Sequence, residues 1–115
     1  MPLSLLPTPA MNGSELHQLI FQKWGRSYDV QLRRVQNRIY LQIMWKYLEQ
    51  ASFPLSEIAY HDRLQRMASH LTELQVVEQV QEFITQTSDR PRVGKAVSVP
   101  LVLTLGGRSA EWLVE

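Results

Sequence analysis

Between Tyr28 and Trp45 the chain reads YDVQLRRVQNRIYLQIMW, and the alternation on either side of Gln36 and Asn37 limits its folds more than any other stretch. Side chains alternate faces along a strand, so a two-residue loop at Gln36 and Asn37 sets Leu32 opposite Leu41, Val30 opposite Ile43 and Tyr28 opposite Trp45 on one face. The same register sets Arg33 opposite Tyr40, Gln31 opposite Gln42 and Asp29 opposite Met44 on the other, a surface that water tolerates. A slip by a single residue would exchange the two faces, so the register is specified. Cross-strand pairs contribute only ~0.2 to 1 kcal/mol each and an isolated hairpin is marginal, so a covering layer is required.

The flanking sequence supplies that layer. Asn12 and Glu15 have capping-box spacing, and Leu16, Leu19, Ile20 and Trp24 share a helical face that Gly25 ends, which predicts a helix from Ser14 to Trp24. After the hairpin, Tyr40, Met44, Tyr47 and Leu48 also fit a helical spacing, so the end of the second strand is ambiguous up to Pro54. Ser56 caps a second helix with Tyr60, Leu64, Met67, Ala68 and Leu71 inward, and a third, starting within Thr72 to Val76, buries Val76, Val77, Val80, Phe83 and Ile84. SDRPRVG, from Ser88 to Gly94, reads as a loop. Beyond it Val97, Val99, Leu101 and Leu103 alternate, and a turn at Gly106 and Gly107 sets Leu103 opposite Ala110, Leu101 opposite Trp112 and Val99 opposite Val114. Pro100 has no N–H for a ladder and implies an edge strand or a bulge. The expected fold is α+β, an antiparallel sheet of two hairpins (three to four strands) with three helices on one face, in the order αββααββ.

A length of 115 residues fits a single domain over 12–115, preceded by a proline-rich, disordered tail over 1–11 whose Met11 is an alternative start of translation. The apolar run in that tail is too short to span a membrane and lacks the basic start of a signal peptide. With no cysteine, disulfides, thiolate catalysis and thiolate metal sites are excluded, and the composition fits a reducing, cytoplasmic setting. The net charge of +1 points to no polyanionic partner, but its distribution is uneven. Lys23 to Lys46 holds six basic residues against Asp29 alone, whereas Glu49 to Asp89 holds seven acidic residues against Arg63 and Arg66. Two layers of opposite sign that attract within one domain are the favoured account of this, ahead of a charged partner.

His17, His61 and His70 have no metal-binding spacing, so no metal is expected, and nothing points to a cofactor. RPRVGKA, from Arg90 to Ala96, ends like a phosphate loop but lacks the first glycine, at Asp89, and the Ser or Thr, at Ala96. What remains is a stiffened basic loop, Arg90, Arg92 and Lys95, able to hold a carboxylate or phosphate, or else to pair with Glu78 or Glu82. On the open face of the hairpin Arg33, Arg38 and Tyr40 have the mixed basic and aromatic character of single-strand RNA readers, although stacking platforms usually carry more than one aromatic. Trp24, Trp45 and Trp112 read as core. No nucleophile elbow or framed carboxylate pair is present, so catalysis is not expected.

Taken together, KWGRSYDVQLRR, IYLQIMWKYLEQASFPL and RPRVGKAVSVPL resemble a small domain-of-unknown-function family of cyanobacteria and of algal and plant plastids, over about Gly13 to Trp112. The resemblance implies an α+β domain from a photosynthetic organism, with relatives in the plastid stroma of plants, and an accessory or assembly role around the photosynthetic apparatus. It assigns no catalytic residue. The expectation is therefore a non-enzymatic binding or assembly protein that meets protein partners through Arg90, Arg92 and Lys95, with Arg33, Arg38 and Tyr40 as a second surface. The alternative is an RNA-binding module that uses the basic face of the first hairpin.

Overall fold

The hairpin forms in the expected register over most of its length. In the computed structural model, which describes residues 10–48, 50–51 and 53–103, strand β1 (Tyr28–Val35) pairs antiparallel with β2 (Arg38–Tyr47). Leu32 faces Leu41, Val30 faces Ile43, Arg33 faces Tyr40 and Gln31 faces Gln42. Gln36 takes φ 58°, the left-handed value required at the first central residue of a type II′ turn, whose twist matches that of the strands.

The open end of the hairpin differs from expectation. Tyr28 lies opposite Tyr47, not Trp45, and the register shifts between Tyr28 and Val30, so Asp29 does not face Met44. The extra residues on β2 form a bulge, which bends the strand and re-aims its side chains. Tyr47 is favoured in the paired position because its ring meets Tyr28 edge-on at 6.0 Å while the Arg26 guanidinium lies 4.3 Å over it. Trp45 is half-buried and stands apart from the core side chains, a correction to its expected place there.

Strand β3 (Val97–Leu101) joins the other edge of β2, giving the order β1-β2-β3. Val35 and Arg38 close the turn, so they and every second pair beyond them carry the β1–β2 hydrogen bonds, while Ile39, Leu41 and Ile43 turn their backbone groups toward β3. Pro100 lies opposite Tyr40, at a position with no ladder bond to lose. The expected fourth strand, with its turn at Gly106 and Gly107, lies outside the described residues, as does the tail up to residue 9. Among the described residues the fold is α+β, with three antiparallel strands and three helices in the order αββααβ.

Helix α1 (Gly13–Trp24) starts with the full Asn12 and Glu15 capping box and ends at Gly25, φ 76°. A Cβ on Gly13 would lie 2.7 Å from the backbone nitrogen of Gln65, so α1 approaches α2 (Glu57–Glu73) more closely than a side chain would allow. Met11 is also buried, its N–H donating to Thr72 Oγ1. Ser56 caps α2 by accepting from the Ala59 N–H. Between α2 and α3 (Val77–Gln86) the chain turns through Gln75, φ 61°. The Gln75 N–H donates to Thr72 and the Val76 N–H to Leu71, the double bond of a Schellman motif, and Leu71 and Val76 are both fully buried beneath it. Leu16 and Ile20 from α1, Tyr60, Leu64 and Leu71 from α2, and Val77, Val80 and Ile84 from α3 pack in one core with Val30, Leu41, Ile43, Val97 and Val99 of the sheet. The strands bury alternate residues, so the helices lie on a single face, and among the described residues the opposite face is bare.

Candidate functional site

The bare face is ordered by the registers just described. One row across the sheet is Arg33, Tyr40 and Pro100, and the next is Gln31, Gln42 and Ser98, with Val35 and Arg38 beside the turn. Gln31 Nε2 donates to Gln42 Oε1 at 2.8 Å and Gln42 Nε2 donates to Ser98 Oγ at 3.2 Å, a polar ladder that fixes the middle of the face. Arg33 and Arg38 are exposed and Tyr40 is half-buried between its neighbours. These expected site residues therefore do share one surface, with a single aromatic ring among the three.

Arg90, Arg92 and Lys95 are likewise exposed, on a loop held at both ends. Trp24 Nε1 donates to the Asp89 carbonyl at 3.0 Å, and Pro91 is buried. Arg92 and Lys95 exchange backbone hydrogen bonds of 3.0 and 2.9 Å around a turn whose tip is Val93 and Gly94, with Gly94 at φ 78°. Directly opposed residues of an antiparallel pair project to the same side, so the two cations stand next to each other. Neither they nor Arg90 pairs with an acidic side chain among the described residues, and the expected partners Glu78 and Glu82 are not engaged. The bare face and the loop stay apart. Val97 lies opposite Ile43 and Pro100 opposite Tyr40, so Lys95 and Tyr40 are separated by about five residues of strand, on the order of 16 Å.

Two further features come from residues distant in sequence. His17 and His61 meet with ring centroids 5.0 Å apart, packed against Tyr60, and His17 Nε2 is 2.8 Å from Oγ of the buried Ser27. No group of three potential metal-ligating side chains occurs among the described residues. A groove of about 400 Å³ runs between β1 and α2, floored by Leu32, Met67 and Leu74 and rimmed by Arg63, His70 and Glu73. At its end Asp29 Oδ1 lies 3.5 Å from Arg63 Nε, yet this oxygen is buried without a hydrogen-bond partner. The two groups attract by charge without hydrogen-bond alignment. Burial pushes the Asp29 carboxyl above its usual 3.8, against the opposing pull of the Arg63 charge, the Val30 N–H and Lys46. The sequence carried no signal for either feature beyond an isolated acid in a basic segment.

Among the described residues no helix is long and apolar enough to cross a membrane. The solution NMR structure of the Alr2454 protein from Nostoc sp. strain PCC 7120, a cyanobacterium, is similar to this chain, with 56% sequence identity and a TM-score of 0.80. The similarity covers 91% of this chain and 99% of that one. No curated protein matches the chain. The family described as Domain of unknown function (DUF3067) matches residues 14–113. With nearly the whole fold inside that match and a cyanobacterial relative of the same architecture, the chain belongs to the DUF3067 family.

Proposed function

We propose that the protein is a non-catalytic binding module that engages an acidic segment of a protein partner through Arg90, Arg92 and Lys95. The carrying observation is the pair Arg92 and Lys95, held opposite each other across a tight turn and exposed. Like charges directly opposed destabilise a strand pair. A fold that stiffens such a pair with the Trp24 to Asp89 bond and the buried Pro91 bears that cost continuously, and a carboxylate or phosphate between the cations relieves it through charge-assisted bonds. The cyanobacterial relative supports a photosynthetic organism as the setting, and an accessory role there is part of this reading, with the cytoplasm, or the plastid stroma in plant relatives, as its place. The test is recovery of native partners from cyanobacterial lysate by the wild type and by the triple variant Arg90→Ala, Arg92→Ala, Lys95→Ala. Loss of a specific partner with an unchanged melting curve supports the reading; equal recovery by both forms removes the loop from it.

A second reading is favoured by one observation, the convergence of Arg33, Arg38 and Tyr40 on the bare sheet face beside the glutamine ladder. On that reading the face takes single-stranded RNA, with a base stacked on Tyr40 and phosphates on the arginines. Affinity must then fall steeply with salt as counterions are released. Absent or salt-independent binding to an RNA oligonucleotide ends it.

A further inference from the structure

The two edges of the sheet are treated differently. On β3, Gln79 of α3 donates through Nε2 to the Val102 carbonyl at 2.7 Å and accepts from the Val102 N–H through Oε1 at 2.8 Å, so a side chain stands where another strand would pair. Pro100 has no donor to offer on the same edge. On β1 the alternation fixed by the turn sends the backbone groups of Val30 and Leu32 outward. The carbonyl of Tyr28 is taken by the Tyr60 hydroxyl. No group among the described residues bonds the outward N–H and C=O of Leu32. Leu32 is one of the residues that line the groove between β1 and α2.

We propose that this groove is a β-augmentation site, which takes an extended peptide segment of a partner protein as an added strand on β1. A donor and an acceptor of one residue pointing to the same side are met together by another extended backbone. The groove's volume falls in the range of roughly 300 to 1,000 Å³ typical of ligand sites, and its floor of Leu32, Met67 and Leu74 is apolar where an incoming side chain would turn inward. Alternation also states the chemistry of the peptide. Its residue beside Leu32 is apolar, and its neighbours, beside Gln31 and the exposed Arg33 on the other face, are polar and acidic. This surface shares no residue with the Arg90 to Lys95 loop, so the two proposals stand or fall separately.

The experiment is amide hydrogen exchange and methyl NMR on the whole chain with a blocked hexapeptide of alternating Val and Glu, and with its analogue N-methylated at every second residue. In the free protein the Leu32 amide exchanges at least about tenfold faster than that of Leu41, which is bonded to β3. The unmethylated peptide slows Leu32 exchange and shifts the Met67 methyl resonance; a methylated analogue that cannot donate does neither. Met67→Glu abolishes the effect while the triple loop variant leaves it intact. Equal action by the N-methylated peptide, no protection of Leu32 at millimolar peptide, or concentration-dependent protection of Leu32 without peptide, which would mark β1 as the seam between two copies of this chain, each overturns the proposal.

Discussion

The hydroxyl of Tyr60 donates to the carbonyl of Tyr28 across 2.7 Å, which ties α2 to the start of β1 at the point where the hairpin register shifts. Tyr60 is fully buried. Tyr60→Phe keeps the packing and leaves the carbonyl without that partner, so it should lower stability by about 1 to 3 kcal/mol. Urea denaturation of the two proteins measures this, and coincident curves would mean that the bond contributes nothing.

Gln75 occupies, at φ 61°, the position after α2 that glycine favours. Its side chain plays no part in the double hydrogen bond around it, which is made by backbone groups. Gln75→Gly should therefore raise stability, by up to about 1 kcal/mol, the relief of strain being partly offset by the greater freedom of glycine in the unfolded chain. A thermal melt that moves down instead would show that the Gln75 side chain makes a compensating contact.

Asp29 gives a pH dependence of definite sign. Its folded pKa is raised above the ordinary 3.8, chiefly by burial, so between those two values the folded state holds the proton more readily than the unfolded one. Stability from this group is fully present below pH 3.8 and is lost as pH rises through the folded pKa. Asp29→Asn should remove that loss, and the difference in melting temperature between variant and wild type should move in the variant's favour from acid to neutral pH. A difference independent of pH would place Asp29 in a solvated setting.

The bulge at the open end of the hairpin ranks two substitutions. Ile43 is fully buried and should cost about 2 to 5 kcal/mol when changed to Ala. Trp45, half-buried and outside the core, should cost less despite its larger ring. The reverse order in denaturant midpoints would restore Trp45 to the core.

These residues also mark how far local pattern reaches. The pairing of Leu32 with Leu41 and of Arg33 with Tyr40 follows from period-two alternation around one turn, and the caps at Asn12, Ser56 and Gly25 follow from residue type, so all of these were legible. The exchange of Trp45 for Tyr47 was not, because it depends on Arg26 and Tyr28 acting on Tyr47 in three dimensions. The break between α2 and α3 was blurred because a glutamine stands where glycine would have announced it. Of the candidate surfaces, Arg33, Arg38 and Tyr40 could be placed on one face from alternation alone. The juxtaposition of Arg92 and Lys95 required the backbone pair between them, and the groove beside Leu32 required α2 to return alongside β1.

A sheet covered on one side only, among the described residues, is the feature on which the fold and the reading of Arg33, Arg38 and Tyr40 as a contact surface rest, and NMR signal loss caused by a soluble paramagnetic agent tests it residue by residue along β2. Side-chain signals of Arg38, Tyr40 and Gln42 should be attenuated strongly while those of Ile39, Leu41 and Ile43 persist, an alternation of period two. Equal protection of both sets, or attenuation of Leu41 together with Tyr40, would contradict the account.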